Sequence, residues 1–396
     1  MEHSFIQPVV NIGMLGSVSD GKSTTVYSLS GVKTQRHSSE QKRNITIKPG
    51  YANMKIYQDD NGYNVKKGKL VHHVSFIDCP GHFQLIVTML SNIKLMDGII
   101  LVVSAAEPIE KKPQLLQHIT AIKLSGIKNV IVLLNKLDLV TKKIAIQRHA
   151  DLVSILTANN IIPKCIIPVC MNHMIGVDMI LNSIMEFIPQ KKQNTETHPL
   201  FMISRSFDVN YPNISYTDIV GGVIGGGMLR GIFKIGDEIE ISPGILTVNK
   251  NGSVEWTPHQ TIITSIKSDV TALDCALPGG LVGIGTDLDP YYCKNDGMAG
   301  QMVGWRNKMP PTVINLTVKF DKIEFDNHVW EPKNRATITI ITGTHCGDGT
   351  ILSSDSQTIT ITLQYPVCID TTNMIILCEK TLNDFHIVGY GYYANI

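Results

Sequence analysis

Gly16-Ser17-Val18-Ser19-Asp20-Gly21-Lys22-Ser23 fits the pattern G-x-x-x-x-G-K-S/T and lies between an apolar run, Val9 to Leu15, and a helix-like stretch, Thr24 to Leu29. Strand, glycine-bearing loop and helix in that order make a phosphate-binding loop. Glycines let consecutive backbone N–H groups turn inward around a phosphate, a lysine reaches the outer phosphates, and a hydroxyl ligates Mg2+. Gly16, Gly21, Lys22 and Ser23 fill those roles, and Ser19, Asp20 and Thr24 join them as nucleotide-binding candidates. A turn with a solvated lysine is the plain alternative for the bare pattern, and the flanking strand and helix count against it.

The base is read further along. Asn135-Lys136-Leu137-Asp138 follows the almost unbroken apolar run Val130 to Leu134, a buried parallel strand whose carboxyl end opens onto the ligand crevice of an α/β sheet. Asp138 can accept two hydrogen bonds from the N1 and N2 edge of guanine, which adenine does not offer. Asn135 braces the loop, and the Lys136 stem covers the ring. Between the two motifs, Ser75-Phe76-Ile77-Asp78-Cys79-Pro80-Gly81-His82 delivers Asp78 to the Mg2+ shell, with a Gly81 N–H for a γ-phosphate. Such a loop is ordered by GTP and released with GDP. His82 is the candidate that orients the attacking water, although a histidine after a turn is more often a surface imidazole. Thr46, in the basic segment Lys42 to Lys48, is the second hydroxyl for Mg2+, or else an ordinary exposed strand residue.

Strand-like runs (Ile99 to Val103, Val130 to Leu134, Ile166 to Val169) alternate with helical ones (Pro113 to Leu124, Ala145 to Leu156, Val177 to Phe187) up to a polar, proline-bounded linker near Pro189 to Pro199. That alternation implies a mainly parallel, doubly wound sheet. Beyond the linker, short β-rich segments punctuated by Gly221-Gly222, Pro243-Gly244, Asn251-Gly252 and Pro278-Gly279-Gly280 imply β-barrels. With a further break at Met309-Pro310-Pro311, the expected organisation is a GTP-binding domain over 1–197 and barrel domains over 198–309 and 310–396. The 396 residues, 43% hydrophobic, suffice for more than one core. No segment looks transmembrane and no secretory leader is visible, so a cytoplasmic protein without membrane contact is expected. The eight cysteines show no C-x-x-C spacing, which argues against structural zinc and, in a cytosolic GTPase, against disulfides; they read as buried small apolar residues.

Arg43 to Tyr57, R-N-I-T-I-K-P-G-Y-A-N-M-K-I-Y, resembles the switch region of one group of translational GTPases. With Asp78 to His82, Asn135 to Asp138, Arg205 to Asn210 and Ala276 to Thr286, the chain resembles the gamma subunits of eukaryotic and archaeal translation initiation factor 2 over nearly its whole length. The resemblance implies a P-loop GTPase domain followed by two β-barrels. It implies a GTP-dependent carrier that takes methionyl initiator tRNA to the small ribosomal subunit and releases it as GDP forms. Its implied partners are an alpha subunit on the second domain, a beta subunit on the GTPase domain, and GTPase-activating and nucleotide-exchange factors. A third guanine-contacting loop falls at Cys170-Met171-Asn172, acting largely through backbone N–H groups. Lys22, Gly81 and His82 become the catalytic set, and Ser23, Thr46 and Asp78 the Mg2+ set. No arginine finger is assignable, which implies slow intrinsic hydrolysis. The net charge of +1 gives no basic field over the molecule, so tRNA affinity needs local patches. Lys33, Arg36, Lys42, Arg43 and Lys48 form the densest one, with a merely solvated loop as the even alternative.

Departures from the family are equally plain. Ser17 and Asp20 stand where these factors usually carry histidine; Asp20 puts a negative charge beside the phosphates, and its side chain is expected to point outward while its N–H serves the cradle. Phe83 replaces an acidic residue after the histidine. Tyr57 to Leu70 contains no cysteine where the family tends to carry a zinc knuckle, and Asp59-Asp60-Asn61-Gly62 reads as a hairpin turn. Zinc is therefore not expected. Two other readings stay open: an elongation-type GTPase that delivers a different aminoacyl-tRNA, and a scaffold or decoy with little GTP turnover, supported by Asp20, Cys170 and Phe83.

Overall fold

The computed structural model describes residues 6–35, 46, 48–82, 85–190, 193–248, 254–325, 328–381 and 384–394, and the chain divides into two compact units, Met1–Lys192 and Gln193–Ile396. Arg36, Lys42 and Arg43 of the basic patch, residues 43–45 and 47 of the switch phrase, Phe83, and Lys191-Lys192 of the linker lie outside the described residues.

In the first unit, β1 (Val10–Leu15), β2 (Gly50–Asp59), β3 (Gly62–Asn64), β4 (Lys69–Asp78), β5 (Gly98–Ser104), β6 (Val130–Asn135) and β7 (Cys165–Pro168) form one sheet in the order β3-β2-β4-β1-β5-β6-β7. From β4 to β7 the neighbours run parallel, while β2 adds antiparallel to β4. The runs in β1, β5 and β6 are mostly apolar, Asn11 and the terminal Ser104 and Asn135 apart, because every residue of these strands is buried, as expected where helices cover both faces of a parallel sheet. The helices are α1 (Lys22–Ser30), α2 (Ile86–Leu90), α3 (Pro113–Ser125), α4 (Lys142–Ala158) and α5 (Val177–Phe187). Local chemistry sets their ends. Pro113 opens α3, where a missing N–H does no harm, and Gly126 closes it in the left-handed conformation. Thr141 caps α4 by accepting from the Ile144 N–H. The chain winds outward from β1 to both sides, so the carboxyl ends of β1, β4, β5, β6 and β7 share one rim, where ligands bind in such sheets. At the far edge Asp59 pairs with Gly62 across the expected hairpin.

The second unit holds two closed rings. One is built from β8 (Leu200–Phe207), β9 (Val223–Arg230), β10 (Glu238–Val248), β11 (Val254–Ser268), β12 (Leu281–Thr286) and β13 (Met302–Gly304), closed by pairing of β10 with β11. The other comprises β14 (Thr312–Lys322), β15 (Thr337–Thr342), β16 (His345–Ser354), β17 (Thr358–Cys368), β18 (Met374–Lys380) and β19 (Phe385–Tyr393). Each has its own apolar centre, with Phe201, Phe233 and Ile284 in one and Leu316, Ile340 and Ile361 in the other. The expected fold class, a parallel-rich GTPase sheet followed by two barrels, therefore stands.

The cysteine expectation needs correction. All eight are free, but only Cys79, Cys170, Cys293, Cys368 and Cys378 are buried; Cys165 and Cys275 are half-buried and Cys346 is exposed. Cys346 lies on β16, whose residues alternate between the ring interior and solvent. No helix among the described residues is long and apolar enough to cross a membrane.

Phe76 on β4 is fully buried between the strands flanking it. Phe76→Ala is expected to destabilise the first unit by about 3–5 kcal/mol, seen as an earlier first transition in urea, with nucleotide binding lost in that same transition.

Candidate functional site

The rim of the first unit gathers the motifs. Gly16 and Gly21 sit at φ +138° and +101°, and a Cβ on Gly21 would collide with the Asn135 amide. Both positions need glycine. Lys22 opens α1 and is 6% exposed. Its Nζ donates to Gly16 O at 2.7 Å and Ser17 O at 2.8 Å, which uses two of three donors and leaves one for a ligand. Burial lowers its pKa, while the charges of Asp78 and Asp20 oppose that shift. The first N–H groups of α1 lack intrahelical acceptors and converge at the same place, a helix-end anion site.

Asp20 does not point outward. It is 1% exposed; its Oδ2 accepts from Ser17 N at 3.0 Å, and its Oδ1 accepts from Ser104 N at 3.0 Å and from Lys112 Nζ in a short ion pair. The Asp20 N–H, assigned to the cradle from sequence, donates to Ser17 O at 3.3 Å. The physical reason is compensation: a buried carboxylate is stable where a cation and N–H donors meet it, and the end of β5 and the start of α3 supply them. Sequence reasoning missed Lys112. Its one signal is a lysine directly before a helix, where the macrodipole disfavours a cation by roughly 0.3–1 kcal/mol.

On the base side, Asn135 donates through Nδ2 to Asp20 O at 3.0 Å and accepts at Oδ1 from Met171 N at 3.2 Å. The Met171 N–H is thus committed to Asn135, and Met171 is buried behind the rim. Lys136 adopts a left-handed conformation (φ 63°) that turns the chain into a single 3-10 turn carrying Asp138. The Cys170 thiol donates to Asp138 Oδ1 at 2.9 Å. That hydrogen bond holds the exposed Asp138 carboxyl below its ordinary range, and burial followed by the same bond pushes the Cys170 thiol up. The donor atoms of Asp138, Cys170 and His173 lie within 4.8 Å of one another.

On the metal side, Ser23 Oγ and Thr46 Oγ1 are 3.2 Å apart, near the separation of about 3 Å for adjacent oxygens in octahedral Mg2+ coordination. Asp78 is fully buried and accepts from Thr34 Oγ1 at 2.5 Å. This all-oxygen set fits a hard divalent cation. Gly81 abuts the phosphate loop so closely that a Cβ would stand 2.6 Å from Lys22 Nζ and 2.8 Å from Val18 N. Behind it His118, on α3 and missed from sequence, is 1% exposed. Burial, then the charge of Lys22, pushes its imidazole down to about 3, so it is a neutral ring.

These residues surround a cavity of 230 Å³. Of the residues singled out in the sequence, Ser19, Gly21, Lys22, Ser23, Thr24, Thr46, Gly81, His82, Asn135, Lys136, Asp138, Cys170 and Asn172 line it, joined by Val18 and Gln35. Gly16, Asp20, Asp78 and Met171 stand behind that wall.

Residues 7–190 match the family described as "Elongation factor Tu GTP binding domain" and residues 315–393 match "Initiation factor eIF2 gamma, C terminal". The chain is 37% identical to translation initiation factor 2 subunit gamma of Methanococcus vannielii, over 97% of its own length and 98% of that protein's. It is 36% identical to the proteins of the same name from Thermoplasma acidophilum and Pyrococcus furiosus, over 97% of either chain in both cases. Among solved structures it resembles a bacterial selenocysteine-specific elongation factor, EF-Sec (TM-score 0.76, 21% identity), covering 97% of this chain and 58% of that one. It also resembles the elongation factor SelB of Methanococcus maripaludis with the GTP analogue GppNHp (TM-score 0.74, 18% identity), covering 99% and 80%. At those identities the likeness is one of fold.

A carboxyl whose pKa is depressed keeps its charge to lower pH, so losing the Cys170 hydrogen bond raises the pH at which Asp138 protonates. Cys170→Ala is therefore expected to lose GDP affinity at a higher pH on acidification than the parent chain, measured by titrating a fluorescent GDP across the acid range.

Proposed function

The chain belongs to the gamma subunits of translation initiation factor 2, a family of GTP-hydrolysing translation proteins, and from that premise we propose that it binds GTP with Mg2+ in this cavity and in that state carries methionyl initiator tRNA to the small ribosomal subunit. Hydrolysis to GDP releases it. The observation that carries this reading is convergence: the phosphate loop, the Ser23 and Thr46 hydroxyls and the Asn135 to Asp138 loop share one cavity.

Mechanistically, the task is positioning and charge stabilisation. The free donor of Lys22 and the first N–H groups of α1 hold the phosphates, and the Gly81 N–H meets the γ-phosphate. Ser23 and Thr46, with Asp78 behind them, would hold Mg2+, which would supply positive charge against the phosphates. His82 aligns the attacking water. Asp138 accepts from guanine N1 and N2, the Lys136 stem covers the ring, and Cys170 and Asn172 close the pocket beyond it. Without an assigned arginine finger, hydrolysis is slow until an activating partner engages; an exchange factor, an alpha and a beta subunit complete the set, and the protein works in the cytosol.

The scaffold reading loses its first support, because the Asp20 charge meets Lys112 inside the loop and does not confront the phosphates alone. The deciding experiment compares initiator methionyl-tRNA affinity with a GTP analogue and with GDP, at stated salt, using Thr46→Ala as control. Tighter binding with the analogue, abolished by Thr46→Ala, is expected; equal binding in both states refutes the nucleotide-switched carrier. Binding of elongator tRNA equal to initiator favours the elongation-type reading. Asp138→Asn is expected to weaken GDP at least about tenfold and to favour xanthosine diphosphate, whose C2 oxygen suits an amide donor; isothermal titration reads both.

A further inference from the structure

Lys112 is 5% exposed and stands at the N-cap of α3 without a side-chain cap. Both burial and the helix dipole oppose a cation there. Asp20, 92 residues away in sequence, is likewise buried, on a loop that must receive an anion. Each charge is unfavourable alone, and together they neutralise each other. The bonds around them connect three segments, the phosphate loop, the end of β5 and the start of α3. Asp20 takes the Ser17 N–H from its own loop and the Ser104 N–H from the end of β5, Lys112 Nζ also donates to Ser104 O at 3.2 Å, and Gln114 Oε1 accepts from Val18 N at 3.3 Å. The Ser17 and Val18 N–H groups are thereby engaged by Asp20 and Gln114, while Val18, Ser19 and Gly21 to Thr24 contribute to the cavity wall.

We infer that Asp20 and Lys112 are a charge-compensated brace that sets the phosphate loop in its nucleotide-binding shape, with Lys112 a positioning residue for GDP and GTP affinity. The inference rests on the nucleotide-binding reading of this cavity. Lys112 touches no ligand in this role; it keeps a buried carboxylate neutralised next to the place where phosphates arrive, and fixes that carboxylate against the end of β5. Other charged or titratable groups near the brace include Lys22 on α1 and, around Lys22, Asp78 at the end of β4, Cys79 just after it and the buried His118 on α3.

The test is a cycle on the full chain: Lys112→Met, Lys112→Arg, and Asp20→Asn with Lys112→Met, each titrated with fluorescent GDP after a thermal melt. Lys112→Met is expected to weaken GDP at least about tenfold. Much of that affinity should return as pH falls, because proton uptake relieves a carboxylate buried without its cation. Lys112→Arg should bind like the parent chain. The double variant, neutral at both positions, should bind GDP more tightly than Lys112→Met, short of the parent chain because an amide at position 20 offers one oxygen where the carboxylate offers two, and should do so even where Lys112→Met fails to fold. Parent-like affinity in Lys112→Met with an unchanged pH profile overturns the brace, as does a double variant no better than Lys112→Met. A parent chain that binds no GDP refutes the nucleotide reading itself, which separates the two failures.

Discussion

The Asn135 carboxamide is the interaction on which the site depends. One side chain at the end of β6 donates to the Asp20 carbonyl and accepts from the Met171 N–H, so the loops after β1, β6 and β7 are held by a single planar group with both ends used. A carboxamide can do this because it is donor and acceptor in fixed geometry. Asn135 is 3% exposed, and a buried amide with an unmet end is costly. The three loops therefore stand or move together, and the phosphate and base ends of the cavity keep a fixed separation.

That coupling explains why some residues of the sequence motifs line the cavity and others do not. Ser19, Lys22, Lys136 and Asp138 face the ligand space, whereas Asp20 and Met171 spend their hydrogen bonds on the scaffold. A motif in one dimension does not distinguish the two kinds. The strands were readable because β1, β5 and β6 are buried on every residue, leaving nearly continuous apolar runs, and α3 and α5 because their ends and amphipathic faces are local properties. The antiparallel addition of β2 to β4 and the pairing of β8 with β13 in the first ring join residues far apart in sequence, for which residue patterns carry little information. The Lys112 partner of Asp20 was unreadable for the same reason.

Cys170 shows a milder form of this limit. Read from sequence it is a departure in the guanine loop; in the structure its thiol reaches the carboxylate expected to read the base. A thiol is a weak donor, so guanine N–H groups can displace it from Asp138 more readily than they would a strong one. The carboxylate is thus held in position without being strongly committed.

The ion pair at the phosphate loop also bears on why charged residues occupy a position open to neutral ones. Buried pairs contribute little net stability, since desolvation consumes most of the attraction, while removing one partner is strongly destabilising. Stability alone therefore gives a weak account of Asp20 and Lys112. Placement gives a better one: the carboxylate engages Ser17 and Ser104 N–H groups from two segments at once, a task that needs an acceptor with two oxygens. An acceptor of that kind beside a triphosphate would repel it, and Lys112 removes the repulsion at its source. The lysine belongs to the binding site electrostatically although it stands outside the cavity wall.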